Sequence, residues 1–200
     1  ELNVFGDWQP EVPAAYRETP FVFLANGHPA IQAAALDQMT APRFVLLDTM
    51  NLWIDTARDD LDAVLRRVDA VTVNDEEARM LTGEQNLVRA ARAMLDLGPG
   101  VVIVKKAEHG SFLVTRDDFA AVPAYPVTSL VDPTGAGDSF AGGFLGSLAT
   151  GEEVTARRLR ESMFHGTVQA SFAVESFSVE RLAALEDSER EARFAELVAM

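Results

Sequence analysis

The fold and the candidate site both follow from residues 131–143, Val-Asp-Pro-Thr-Gly-Ala-Gly-Asp-Ser-Phe-Ala-Gly-Gly. The stretch turns at Asp132-Pro133, passes through a Gly-Ala-Gly tripeptide and continues as small and apolar residues that predict a buried helix. A glycine-rich turn that opens into a helix exposes backbone N–H groups at the positive end of the helix dipole. The pattern therefore predicts an anion site, and phosphate is the commonest ligand of such sites.

Asp138 stands at this predicted anion site, although a carboxylate repels an anionic ligand. One interpretation makes it a general base, which takes a proton from a hydroxyl group that then attacks a phosphorus atom. The alternative is that Asp138 only caps the helix, where carboxylates are favoured in any case. The motif alone leaves both interpretations open.

Composition excludes several classes of protein. The 200 residues are 48% hydrophobic, enough for a sizeable core, yet no apolar run reaches the roughly 20 residues that a membrane helix needs. The absence of cysteine excludes disulfides and thiolate metal sites, and agrees with a cytoplasmic protein. The net charge of −14 argues against a nucleic-acid-binding surface, but one local positive pocket could still bind a nucleotide.

The N-terminus gives no signal-peptide pattern, because the chain opens Glu1-Leu2-Asn3 without a basic or apolar segment. It also opens without Met and in the middle of a pattern. We therefore expect the chain to be the remainder of a longer protein. Residues 1–19 carry two prolines, Pro20 follows directly, and the stretch has little periodicity, which predicts an irregular lead-in.

Short apolar runs alternate with helical patterns along the rest of the chain. Strands are predicted at residues 21–25, 44–47, 70–73, 101–104, 111–115 and 120–125. Helices are predicted at residues 29–39, 58–68, 75–83, 86–98, 135–149 and 155–173, with two shorter ones near the C-terminus. This alternation predicts one α/β domain over residues 1–200, with a mostly parallel sheet covered by helices on both faces.

Polar residues follow the predicted strands where the strands end. In parallel sheets ligands bind beyond the carboxyl ends of the strands, so these residues are expected to converge on one site. They are Asn26, Asp48, Asn51, Asn74, Glu77, Lys105 and Asp132.

The sequence Asp-Pro-Thr-Gly-Ala-Gly-Asp at residues 132–138 resembles the C-terminal signature of the ribokinase-like (PfkB) carbohydrate kinases, D-T-x-G-A-G-D. Pro133 stands where many members have Thr. The resemblance implies that Asp138 is the catalytic base and that the amides of Gly135, Ala136 and Gly137 form the anion hole. Neither a Walker P-loop nor a G-x-G-x-x-G fingerprint occurs, which disfavours an NAD-type dehydrogenase.

Residues 73–83, Val-Asn-Asp-Glu-Glu-Ala-Arg-Met-Leu-Thr-Gly, resemble the N-x-x-E segment of the same family. The resemblance implies that Asn74 and Glu77 organise Mg²⁺, a cation that prefers oxygen ligands and keeps several waters. The alternative is that the acidic residues only complement the dipole of the helix that follows.

The turn at residues 105–110, Lys-Lys-Ala-Glu-His-Gly, is similar to the G-x-x-G turn beside the family's nucleotide. Ala107 replaces the first glycine. If that glycine needs a positive φ, alanine costs up to about 1–2 kcal/mol or shifts the turn. Lys105 is expected to face the phosphates as a point charge. The resemblance assigns four residues to the nucleotide, namely Lys105, Gly110, Asp132 and Thr134.

The same resemblance implies that Asn26, Asp48 and Asn51 contact substrate or phosphate. The alternative for the stretch after Asp48 is a polar loop around a buried Trp53. Two further expectations concern structure. The three histidines have no metal-ligand spacing, and each is expected to be structural or on the surface. Three helix glycines are expected to permit close helix packing, namely Gly142, Gly143 and Gly146.

The function implied by the resemblance is transfer of the γ-phosphoryl group of ATP to a primary hydroxyl of a sugar or nucleoside. ATP, Mg²⁺ and a monovalent cation such as K⁺ are the implied cofactors, and the full-length form is implied to be a homodimer without nucleic-acid or membrane partners. Family members carry an N-terminal third, with a first strand, a Gly-Gly motif and a β lid, which these 200 residues lack. A rival hypothesis is therefore a non-catalytic, nucleotide-binding remnant.

Overall fold

The computed structural model describes residues 8–200, and its centre is one six-stranded sheet. The strands are β1 (Phe21–Leu24), β2 (Phe44–Asp48), β3 (Ala70–Asn74), β4 (Val101–Lys105), β5 (Ser111–Val114) and β6 (Phe119–Val122). They lie in the order in which they occur in the sequence. Strands β1 to β4 are parallel, and β5 runs antiparallel to both of its neighbours, β4 and β6. This arrangement confirms the predicted fold class.

Helices cover both faces of the sheet. They are α1 (Pro29–Leu36), α2 (Asn51–Thr56), α3 (Arg58–Leu65), α4 (Asp75–Thr82), α5 (Leu87–Leu95), α6 (Ala136–Ala149), α7 (Ala156–Ala173), α8 (Glu180–Ala183) and α9 (Asp187–Ala199). Successive strand residues point to opposite faces, so Val45 and Leu47 pack with α1 to α5 while Phe44 and Leu46 pack with α6, α7 and α9. Both faces are buried, which explains why β2 is apolar without alternation until Asp48.

Several predicted element ends differ from the structure. Helices α1, α3 and α5 each end three residues earlier than predicted, because their last turns continue with i→i−3 hydrogen bonds rather than α-helical ones. Strand β6 stops before Pro123, which has no N–H for the ladder. Helix α9 has 13 residues and is longer than expected.

The described part of the lead-in, residues 8–19, contains one short 3₁₀ turn at Ala14–Tyr16. The first seven residues of the predicted lead-in lie outside the described residues. Within residues 8–200, no helix is both long and apolar enough to cross a membrane.

Candidate functional site

The carboxyl ends of β2, β3 and β4 bring three predicted site residues to one edge of the sheet. Asp48, Asn74 and Lys105 are the last residues of these strands. Asn74 lies opposite Lys105 in the register, and Asp48 lies opposite Thr72 two residues before Asn74. The parallel pairing therefore gathers an acid, an amide and an ammonium group at the end of the sheet where ligands bind in such folds.

Lys105 is the centre of this group. Its Nζ atom lies 3.5 Å from Oδ2 of Asp48, and the two side chains are only 18% and 9% exposed. A Cβ atom placed on Gly137 would lie 3.2 Å from the same Nζ atom. The ammonium group thus lies between the end of β2 and the first turn of α6, where a glycine allows its close approach.

Two buried carboxyl groups share this environment. Burial raises the pKa of Asp48, an effect that Lys105 and the Thr49 amide oppose and the nearby charge of Asp138 reinforces. Burial also raises the pKa of Glu77, against the effects of its hydrogen bond from the Asn74 amide and of Lys105. Because removal from water disfavours the charged forms, a cation that entered the site would stabilise both carboxylates and lower their pKa values again.

Asn74 and Glu77 hold each other in a capping box at the start of α4. The Asn74 side chain accepts a hydrogen bond from the Glu77 amide, and the Asn74 amide donates to Oε2 of Glu77, each at 2.8 Å. The Asn74 side-chain amide donates to Oε1 of Glu77, also at 2.8 Å. The pair therefore stabilises the helix start. Any metal that Glu77 binds must use the lone pairs that these hydrogen bonds leave free.

The glycine-rich turn precedes α6 with Gly135 in the left-handed region at φ 79°. The Ala136 amide, an expected anion-hole donor, instead donates to the Pro133 carbonyl at 3.2 Å. Across residues 8–200, the amides of Gly135, Gly137 and Asp138 donate to no protein acceptor. Three N–H groups without an acceptor in the described chain therefore lie at the N-terminus of a 14-residue helix.

Asp138 is exposed in the first turn of α6. In the part of the chain that the structure describes, its carboxylate accepts no hydrogen bond, and the capping residue is Gly135 without a side-chain cap. The carboxylate is therefore free to meet a substrate, and the capping geometry of the alternative interpretation does not form.

Other expected site residues have local partners. Oδ1 of Asn26 accepts a hydrogen bond from the Trp53 indole at 2.9 Å, so Asn26 anchors α2. Asn51 is the exposed first residue of α2 and bonds the Leu52 amide, in place of the expected loop. Asp132 accepts a hydrogen bond from the Thr134 amide at 2.9 Å, which holds the pKa of Asp132 below its usual value. None of these contacts joins them to the Lys105 group.

The turn after β4 has a strained residue and a sterically required glycine. Ala107 adopts φ 47°, a left-handed conformation that glycine adopts more easily. Gly110 has φ 77°, and a Cβ atom there would lie 2.2 Å from the Val122 carbonyl oxygen. Gly110 therefore allows this turn to pack closely against the β5–β6 hairpin.

The three helix glycines do not act alike. A Cβ atom on Gly143 would lie 2.8 Å from the His165 carbonyl oxygen of α7, so Gly143 permits close packing as expected. Gly142 and Gly146 have no atom within 4 Å of such a position, which makes the expectation wrong for both. They border an open cavity of about 620 Å³ between α6 and α7.

Gln32 is a structural contributor that sequence reasoning missed. Its buried side-chain amide donates to the carbonyls of Ala25 at 2.8 Å and Asp48 at 3.0 Å, and so joins the ends of β1 and β2. The available signal was one polar residue within the otherwise apolar α1. Among the residues that the structure describes, no group of three or more His, Asp or Glu side chains is placed to hold a metal.

Known proteins match this chain in sequence. A family profile described as pfkB family carbohydrate kinase matches residues 25–184. A cytidine kinase of Thermococcus kodakarensis is 41% identical over 96 residues, covering 47% of this chain and 34% of the relative. Other matched relatives are named as a bifunctional ribokinase/ribose-5-phosphate isomerase A, a fructokinase and a ribokinase. The chain thus spans about a third or less of the length of the curated relatives it matches first.

Solved structures share the fold. Aminoimidazole riboside kinase from Salmonella enterica, solved with aminoimidazole riboside and an ATP analog, superposes with a TM-score of 0.74 at 21% identity. That match covers 89% of this chain and 63% of the other. A protein of E. coli described as ribokinase II, solved with ATP and Mg²⁺, gives a TM-score of 0.65 at 24% identity and covers 84% and 52%.

Proposed function

The chain belongs to the pfkB family of carbohydrate kinases, and on that premise we propose that it holds the phosphoryl-transfer site of an ATP-dependent sugar or nucleoside kinase. The observation that carries the proposal is the helix N-terminus at Gly135, where three unpaired amides lie beside an exposed Asp138 and the Lys105 ammonium. The γ-phosphoryl group would pass to a primary hydroxyl of the acceptor. Names of matched relatives support both acceptor classes.

In this proposal each group has a separate task. The free amides and Lys105 would stabilise the charge of the transferring phosphoryl group, a contribution that is often the largest in such reactions. Asp138, which has no competing hydrogen bond in the described chain, would take the proton of the attacking hydroxyl. Asp132, Thr134 and Gly110 would lie beside the nucleotide, whereas Asn26, Asp48 and Asn51 would lie near acceptor or phosphate.

Mg²⁺ fits the donor set, because Asn74 and Glu77 supply amide and carboxylate oxygens next to Lys105. The ion would neutralise phosphate charge when bound. A monovalent cation such as K⁺, a homodimeric full-length form, a cytoplasmic location and a single α/β domain complete the proposal. The family resemblance supports these last four points.

Asp138→Asn tests the proposal, because asparagine is nearly isosteric with aspartate but cannot act as the base. We expect retained ATP binding, a nearly unchanged melting temperature and a kcat at least ~10²-fold lower in any form of the protein that turns over substrate. Asp60→Asn is the matched control, since Asp60 is also an exposed acidic residue in the first turn of a helix. Turnover by Asp138→Asn at the wild-type rate would refute the mechanism.

A protein that binds nucleotide without turnover is the second candidate. Both candidates require ATP binding. Calorimetry with ATP and Mg²⁺, followed by a phosphorylation screen over sugars and nucleosides, separates them, because the second candidate would bind ATP without turnover.

A further inference from the structure

The segment that leads into the glycine-rich turn is held at one place. Residues 126–134 are mostly exposed, and Leu130 and Val131 are 66% and 58% exposed. Within the described chain, the hydrogen bonds that join this segment to a distant part are those from the Val131 and Asp132 amides to the Val174 carbonyl, at 2.8 and 3.4 Å. The segment that enters the turn is therefore held at the C-terminal end of α7.

Three charged side chains fix that end of α7, and we call them the Glu175 cluster: Glu175, Arg181 and Arg193. The Glu175 carboxylate lies 2.7 Å from Nη2 of Arg193 on α9 and 3.3 Å from Nε of Arg181 on α8. The side chains of Glu175, Arg181 and Arg193 are 21%, 25% and 14% exposed, respectively. A network shielded to this degree restrains its members more than an isolated surface ion pair does.

Arg193 ties the cluster to the body of α7 as well. Its guanidinium carbon lies 3.5 Å from the centre of the Phe172 ring, and Nη1 donates to Ser171 at 3.0 Å. Glu175 directly follows Val174, and its amide donates to the Phe172 carbonyl. The last turn of α7 is thus fastened from two later helices at the residue next to the Val174 carbonyl.

We propose that the Glu175 cluster positions the anion-binding turn, with Glu175 as a positioning residue that acts through the Val174 carbonyl. The cluster fixes this carbonyl, the carbonyl holds the Val131 and Asp132 amides, and the segment delivers Gly135, Gly137 and Asp138 to the site. The link to nucleotide binding rests on the proposed function, whereas the link to the turn does not.

Hydrogen exchange of the 200-residue chain tests the structural link. In Glu175→Gln and Glu175→Ala we expect the Val131 amide to exchange at least about fivefold faster than in the wild type. The Lys106 amide, which donates to Gly110 at 2.8 Å in another loop, should be unchanged. Glu189→Gln is the matched control, because Glu189 pairs with Arg181 without contacting Glu175. The conservative Gln variant keeps the test valid if the Ala variant does not fold.

Two exchange results would overturn the proposal: unchanged exchange at Val131 in both Glu175 variants, or an equal acceleration at Val131 and Lys106, which would mean general destabilisation. Calorimetry adds the functional arm, in which Glu175→Ala should bind ATP with Mg²⁺ at least about threefold more weakly than Glu189→Gln. Equal ATP affinity of these variants would overturn the link to binding. If the wild type bound no ATP, the proposed function would fail, and exchange would still decide whether the cluster positions the turn.

Discussion

Replacing Ala107 with glycine should stabilise the protein. Ala107 is exposed and has φ 47°, so its methyl group fills no core space but disfavours the backbone conformation. The left-handed conformation costs a non-glycine residue about 1–2 kcal/mol, while glycine loses about 0.4–1 kcal/mol more chain entropy on folding. The difference predicts a gain of about 0.5–1 kcal/mol in the free energy of unfolding, or a melting temperature higher by about 1–4 °C.

Urea unfolding and thermal melts measure this gain, and two glycines provide matched controls. Gly83 has φ 75° with no atom within 4 Å of a Cβ position. Gly83→Ala should therefore lower the free energy of unfolding by about 1 kcal/mol, solely because alanine disfavours this backbone conformation. Gly110→Ala should lower the free energy of unfolding further, because its Cβ atom would also clash with the Val122 carbonyl oxygen. If Ala107→Gly were less stable than the wild type while Gly83→Ala behaved as expected, the reasoning about the turn would be refuted.

Three further predictions concern the buried acids and the helix glycines. Burial raises the pKa of Asp48 above its ordinary 3.8, so the wild type loses stability as pH rises from about 3.8 through the folded pKa. In urea melts, the stability of Asp48→Asn relative to the wild type should therefore increase as pH rises over that interval. A stability difference between the two proteins that stayed constant with pH would contradict this. Gly143→Ala should lower the free energy of unfolding by about 1–3 kcal/mol, since its Cβ atom would lie 2.8 Å from the His165 carbonyl oxygen. Gly142→Ala should raise the free energy of unfolding by up to about 1 kcal/mol, because no atom lies within 4 Å of its Cβ position. Equal stabilities of the two variants would count against the packing argument. Glu77→Gln should raise the Mg²⁺ concentration needed for half-maximal ATP binding in calorimetry, and an unchanged titration would remove Glu77 from the metal site.

The strands could be predicted because burial on both faces leaves an unmistakable apolar run. Residues 44–47 and 101–104 are such runs, and both form central strands. Helix α2 was missed, since six residues with two buried side chains, Trp53 and Ile54, are too few to show a period.

The candidate site could be predicted only as far as the edge of the sheet. Strand ends place Asp48, Asn74 and Lys105 together, but the pairing of Lys105 with Asp48 depends on register and side-chain reach. The same limit explains why the expectation for the helix glycines was only partly right. The small-residue pattern of α6 can be read from the sequence, whereas the neighbour that faces each glycine depends on how α7 packs.

The residues of the two hydrophobic clusters on opposite faces of the sheet are completed at different times during synthesis. The cluster with α1 to α5 contains no fully buried residue after Val114, so its parts have all been synthesised once β5 emerges. The opposite cluster includes Phe44 and Leu46 from β2 but needs α6, α7 and Leu197 of α9. Because chains fold as they are made, one apolar face of the sheet must wait until residues as late as Leu197 have been synthesised. During synthesis that face is where a chaperone would bind and where a stalled nascent chain would aggregate.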